Sequence, residues 1–171
     1  PTRPPLPVQY ADYTLWFETL LGDPTDPHSR AATQLEFWRT TLAGAPEVLA
    51  LPTDRPRPPQ QSFRGDTVPV HLDAALHERI RHLARAHRAT DFMVVHAALA
   101  VLLARLSGTD DIVIGTPVSG RAHRDLDDLV GMFVNTVALR TEVLAPEPFT
   151  EFLGTVRDTD VAALGQSDLP F

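Results

Sequence analysis

The sequence contains no cysteine and no lysine. Without cysteine the chain has no disulfide, no thiolate nucleophile and no Cys-ligated zinc or iron–sulfur site. All 15 basic residues are arginine, which excludes Schiff-base lysine chemistry and the phosphate-binding lysine of a P-loop. These two absences remove several enzyme classes before any motif is considered.

Positive charge is also scarce, since 15 basic against 22 acidic residues give a net charge of −7. This balance disfavours a nucleic-acid partner. The most apolar stretch, residues 92–104, contains His96 and is shorter than the roughly 20 apolar residues of a membrane span. Residues 1–7 are Pro-rich and unlike a secretion signal. We therefore expect a cytoplasmic protein without membrane association, and a chain that begins inside a longer polypeptide because it lacks an initiator Met.

The 171 residues, 43% of them hydrophobic, suit one domain or one lobe of a larger domain, with about 70% of the unfolded surface buried on folding. Apolar residues recur at helical spacing in five segments. The predicted helices start at Tyr10, after the N-caps Asp26, Asp73 and Thr90, and near Pro148.

Strand patterns lie between these helices. Val68, Val70 and Leu72 alternate, residues 112–114 form a short apolar run of the kind buried on both faces, and residues 133–143 form a third strand. The interleaving predicts an α/β fold with helices packed on a mixed sheet.

No constellation in the sequence is a convincing catalytic or metal site by itself. His77, His82 and His87 are five residues apart, which scatters them around a helix, whereas a helical metal pair needs i, i+4 spacing. Ser119, His123 and Asp125 lie close in sequence, but catalytic triads are assembled from distant segments. We therefore predict no metal ion.

Three segments read together change this interpretation. Residues 10–16 (YADYTLW), 130–140 (VGMFVNTVALR) and 166–171 (QSDLPF) stand in this order and resemble the fourth, fifth and sixth core motifs of nonribosomal peptide synthetase condensation domains. Residues 90–93 and 106–121 resemble the segment that lies between these motifs in the family. The resemblance implies a lobe of the chloramphenicol-acetyltransferase-like fold.

The family resemblance also implies a function in secondary metabolism, including antibiotic biosynthesis. A condensation domain is a transferase that joins a carrier-bound aminoacyl or peptidyl thioester to the amine of a carrier-bound aminoacyl acceptor. Both substrates ride on phosphopantetheine, so no directly bound cofactor is expected. The implied partners are donor and acceptor peptidyl carrier domains and an adjacent adenylation domain of the same polypeptide.

The family's catalytic histidine belongs to an H-H-x-x-x-D-G motif upstream of the tyrosine-rich motif. No His-His pair occurs in this sequence. We therefore interpret residues 1–171 as the C-terminal lobe of a condensation domain without its N-terminal lobe, with no catalytic residue of its own. Alone, this chain should be inactive, and its exposed inter-lobe face should favour self-association.

The resemblance assigns roles to five residues. Asn135 corresponds to the family's Asn near the reacting amide, and Arg140 to an Arg that pairs across the lobes with the Asp of H-H-x-x-x-D-G. Gly131, Met132 and Phe133 are expected to shape the substrate tunnel. Positions 135 and 140 would face opposite sides of an unbroken strand, so the strand starts after Asn135 or contains a bulge.

Other interpretations stay open. Tyr10, Tyr13 and Trp16 suit core packing better than substrate contact. Residues 116–128 are expected to supply a crossing or floor element of the tunnel. The alternative functions are an ester-forming or starter acyltransferase of the same fold, and a non-catalytic scaffold or docking lobe of a degenerate condensation domain.

Overall fold

The computed structural model describes residues 6–56, 58–121, 123–144 and 146–170. Residues 1–5 of the Pro-rich start, Ala122 of the expected tunnel loop and Phe171 of the last motif lie outside this part. The described elements are α1 (Tyr10–Leu21), α2 (Arg30–Thr41), α3 (Ala74–Ala86), α4 (Asp91–Ser107), β1 (Asp111–Val118), a short 3-10 helix (Arg124–Leu126), β2 (Asn135–Glu142) and α5 (Phe149–Leu164). The predicted α/β class and all five predicted helices are confirmed.

Strands β1 and β2 pair in a two-stranded sheet. The Asp110 carbonyl accepts a hydrogen bond from the Val143 amide, and Gly115 lies beside Thr136. Because residue numbers fall along β2 as they rise along β1, the two strands are antiparallel. In β1 only Ile112 is fully buried, so the expected burial of residues 112–114 on both faces is wrong for Val113 and Ile114, which are half-buried.

The chain divides into two compact units. The first comprises Pro1–Ala45, Val113–Arg140 and Thr159–Phe171. It contains two buried clusters, one around Leu126, Leu129 and Phe133 and one around Val137, Leu139 and Ala163. Helix α1 packs on α2 within this unit, and all three motif segments, at 10–16, 130–140 and 166–170, belong to it.

The second unit comprises Pro46–Ile112 and Thr141–Asp158. Helix α3 packs against α4, and both helices have side-chain N-caps, because the Asp73 carboxylate accepts from Leu76 N–H and the Thr90 hydroxyl from Met93 N–H. Helix α4 ends at Gly108, which adopts a left-handed conformation with φ 70°. Its buried face is formed by Met93, Val94, His96, Ala97, Ala100 and Ala104.

Two local predictions are wrong. The N-cap of α2 is Ser29, whose hydroxyl accepts from Ala32 N–H. Asp26 instead accepts from His28 N–H in the turn before the helix, so Pro27 is not its first residue. Residues 68–72 form no strand, and Val68 and Val70 are almost fully exposed.

In the described part of the chain, no single helix is long and apolar enough to cross a membrane. Helices α3 and α4 pass that test of length and composition only when combined, and they are bent by 101° relative to each other.

Candidate functional site

The segment before β2 is held by aromatic side chains of α1. Phe133 is buried at 5% exposure, and Tyr10 meets its ring edge-on with centroids 5.3 Å apart. The Tyr10 hydroxyl donates a 2.8 Å hydrogen bond to the Met132 carbonyl. A Cβ on Gly131 would overlap the Tyr10 ring, so the absence of a side chain at position 131 permits this close contact.

The apolar side chains on both sides of Phe133 are exposed. Val130, Met132 and Val134 are exposed on either side of the buried Phe133. Residues 130–134 therefore form an exposed apolar edge next to Asn135, while the Tyr10 hydroxyl holds their backbone at Met132. Of the three residues expected to shape the tunnel, Phe133 and Gly131 belong to the inner contact and the Met132 side chain to the outer edge.

Arg121 supports the same segment from the loop after β1. Its guanidinium carbon lies 4.0 Å from the centre of the Phe133 ring, a cation–π geometry. The side chain also donates to the carbonyls of Leu126 and, at 2.9 Å, Leu129. Sequence reasoning missed this residue, because an Arg in a loop carries no periodic signal.

Asn135 is the first residue of β2, and its side chain binds backbone near the C-terminus. Its Nδ2 donates to the carbonyls of Ser167 and Leu169, each at 2.8 Å. Its Oδ1 accepts from Thr136 N–H at 2.8 Å. We call residues 166–169 the strap.

Helix α2 also binds the strap. Gln34 is 2% exposed; its Nε2 donates to Asp168 Oδ2 at 2.8 Å and its Oε1 accepts from Leu169 N–H at 2.7 Å. The Trp38 indole donates to the Gln166 carbonyl at 2.9 Å, and Arg30 Nη2 lies 2.5 Å from Asp168 Oδ2. The fifth and sixth motifs thus meet directly through Asn135, and residues of α2 hold the sixth motif.

Sequence reasoning missed Gln34 and Arg30. A signal for Gln34 existed, since it lies one turn from Ala31 and Trp38 on the apolar stripe of α2 and breaks its pattern. A buried amide in such a stripe needs hydrogen-bond partners. The sequence does not indicate which partners Gln34 has, because they lie 134 and 135 residues away.

Arg140 lies further along β2 and reaches the end of α2. Its Nη1 donates to the carbonyls of Thr41 at 2.7 Å and Ala43 at 2.8 Å. These carbonyls belong to the last residue of α2 and to the turn after it, where unsatisfied acceptors favour a cation. The bonds use the two hydrogens of Nη1, of the five that a guanidinium carries.

In the first unit, the pKa values of Tyr13 and Asp23 are shifted from their ordinary values. Burial raises the pKa of Tyr13, with smaller contributions from Tyr10 and the Asp168 carboxylate. In the turn before α2, hydrogen bonds from the Thr25 amide and hydroxyl lower the pKa of Asp23. The described residues contain no cluster of three or more His, Asp or Glu side chains that could hold a metal ion.

Comparison with known proteins identifies the family behind this arrangement. The family model of the condensation domain matches residues 2–171. The chain belongs to the condensation domain family. Its fold is the chloramphenicol-acetyltransferase-like fold that the resemblance implied, and the predicted family membership is confirmed.

Two curated relatives show the setting of similar condensation domains. The chain is 51% identical over its whole length to a probable non-canonical nonribosomal peptide synthetase, CymA, of Salinispora arenicola, and 49% identical to an isonitrile lipopeptide synthase of Mycobacterium tuberculosis. It covers only 2% and 7% of these proteins. Similar condensation domains are therefore parts of large synthetases of secondary metabolism.

A solved structure resembles the condensation domain closely as well. It is the X-domain of teicoplanin biosynthesis in complex with OxyB, with a TM-score of 0.90 and 37% identity. The match covers 100% of the present chain and 38% of that chain.

Proposed function

We propose that this chain is the C-terminal lobe of a condensation domain that forms an amide bond between a carrier-bound aminoacyl or peptidyl thioester and a carrier-bound aminoacyl acceptor. The observation that carries the proposal is the segment 130–135, whose family motif is anchored by Tyr10, Phe133 and Arg121 and ends at Asn135. Amide formation between carrier-bound substrates is the reaction that membership of the condensation domain family favours.

The chemistry asks little of the lobe beyond orientation. A neutral amine attacks the thioester carbonyl, the C–N bond forms, the C–S bond breaks, and the thiol of the donor carrier leaves with one proton. Holding both groups in place supplies most of the acceleration, and one general base handles the proton. The base in this proposal is the second histidine of H-H-x-x-x-D-G, outside the 171 residues.

The remaining site residues have supporting roles in this proposal. Gly131, Met132 and Phe133 shape the tunnel wall, and the exposed apolar edge formed with Val130 supports that assignment. Asn135 lies near the reacting groups. Arg140 pairs across the lobes with the Asp of H-H-x-x-x-D-G while its Nη1 holds the end of α2.

The partners follow from the same proposal. Donor and acceptor carrier domains deliver substrates on phosphopantetheine, and an adenylation domain of the same polypeptide loads a carrier. The lobe needs no directly bound cofactor, since the thioester is already activated. A cytoplasmic location, where loaded carriers and amino acids are available, belongs to this proposal.

The test is transfer between two loaded carriers, followed by mass spectrometry of the acceptor. We expect the full-length protein to form the amide and the 171-residue chain alone to form none above the uncatalysed rate. Product formed by the isolated chain would contradict the assignment of the catalytic base to the other lobe. A full-length protein that forms an ester instead would support the ester-forming alternative.

A docking lobe is the second candidate, and the likeness to the X-domain favours it. That X-domain was solved in complex with OxyB, so a domain that contains a lobe of this shape can bind a separate protein. Replacement of the second histidine in the upstream H-H-x-x-x-D-G motif would support the docking role. An intact motif would support catalysis.

A further inference from the structure

The strap is held between two carboxamide side chains. Asn135, at the start of β2, binds its carbonyls at Ser167 and Leu169, while Gln34, on α2, binds the Asp168 carboxylate and the Leu169 amide. Both backbone polar groups of Leu169 are therefore bonded, the carbonyl to Asn135 and the N–H to Gln34. These hydrogen bonds hold in place a segment that has no helix or strand structure of its own.

The orientation of each amide is determined by its partners. A carboxamide NH2 has two hydrogens, and Asn135 gives both to backbone carbonyls while its Oδ1 accepts from Thr136. A flipped amide would place its oxygen against two other oxygens. Because both hydrogens of Asn135 are used, its amide nitrogen has none left for a substrate carbonyl.

The orientation of the Gln34 amide is also determined by its hydrogen-bond partners. Its Nε2 faces a carboxylate, which only accepts, and its Oε1 faces an N–H, which only donates. Loss of either bond would leave a polar group unsatisfied at a site that is 2% exposed. The fixed amide of Gln34 thus complements the fixed amide of Asn135 across the strap.

We propose that Gln34 and Asn135 form a two-amide clamp that sets the position of the strap, and that both are positioning residues of the condensation reaction. Asn135 acts through the backbone of Ser167 and Leu169 and not by touching substrate, and Gln34 acts with it from α2. The reaction part of this inference rests on the proposed function.

A donor–acceptor exchange tests the clamp in the full-length protein. Gln34→Glu removes the Nε2 donor and places a second carboxylate against Asp168. The double substitution Gln34→Glu/Asp168→Asn restores a donor facing an acceptor, with donor and acceptor interchanged. Gln61→Glu, at an exposed position, is the matched control for the change of charge.

Two measurements are made on each variant. Hydrogen exchange of the Leu169 amide reports the clamp without any activity, and steady-state amide formation reports the reaction. We expect Gln34→Glu to speed exchange about tenfold and to lower kcat about 10–100-fold with little change in KM, since a small displacement near reacting groups costs this much. The double variant should recover to within about fivefold of wild type, because only the exposed Arg30 pair is lost.

Three results would overturn the inference: unchanged exchange in Gln34→Glu, faster exchange with wild-type amide formation, or a double variant no better than the single one. A wild-type protein that forms no amide refutes the proposed function and the reaction part with it. In that case the exchange measurements still decide whether the clamp exists, so the two failures are distinguishable.

Discussion

Gly131 lies against the ring of Tyr10, and a methyl group at this position would overlap it. The ring cannot easily move away, because its hydroxyl is bonded to the Met132 carbonyl and the ring packs against Phe133. At the residue scale, the conformation of the 130–134 segment therefore depends on a missing side chain.

This contact predicts the effect of one methyl group. Gly131→Ala should lower the free energy of unfolding by about 1–3 kcal/mol through overpacking. Gly154→Ala is the matched control, since Gly154 lies within α5 with open space around its Cβ and alanine favours a helix over glycine by about 1 kcal/mol. Urea denaturation should show opposite shifts, and equal stability of Gly131→Ala and wild type would contradict the contact.

At the scale of elements, two of the three predicted N-caps and two of the three predicted strands are found, whereas Asp26 and residues 68–72 were predicted wrongly. Asp73 and Thr90 cap α3 and α4 as expected, because a cap is settled by residues within three positions of it. The alternation of Val68, Val70 and Leu72 predicted a strand wrongly. Alternation defines two faces, but a strand also needs a hydrogen-bonded neighbour, and residues 68–72 have none within the described chain.

Measurements of unfolding free energy can compare a valine of the paired strand β2 with a valine of residues 68–72, which form no strand. Val70, 85% exposed, and Val137, 1% exposed within β2, are each changed to threonine. Val70→Thr should alter the free energy of unfolding by less than about 0.5 kcal/mol, whereas Val137→Thr buries a hydroxyl and should cost about 1–3 kcal/mol. A large loss in Val70→Thr would show that residues 68–72 are buried in solution.

At the scale of the whole molecule, apolar side chains remain uncovered on the edge beside Asn135. Val130 is 90% and Met132 76% exposed. We expect the isolated chain to self-associate through such surfaces, with a sedimentation coefficient that rises with concentration. Val130→Ser/Met132→Ser should weaken the association more than Val161→Ser on the exposed side of α5, and a strictly monomeric wild-type chain would contradict this expectation.

Motif resemblance was sufficient for the family and the α/β class, and it singled out Asn135 and Arg140 as candidate site residues. It could not supply their partners. Of the two alternatives expected for β2, a start after Asn135 is wrong, because the strand begins at Asn135 itself. The strap meets Gln34 and Trp38 across more than 120 residues. Contacts of this kind follow from tertiary packing, which has no local pattern in the sequence.

The clamp has a consequence for attempts to recombine synthetases. Gln34 and Trp38 come from the first quarter of the chain, and the strap they bind comes from its last residues. A chimaera with a single crossover between residues 38 and 166 joins an α2 from one parent to a strap from another. Crossovers placed before residue 30 or after residue 169 inherit the matched pair intact, so these are the junctions at which hybrid assembly lines should retain turnover.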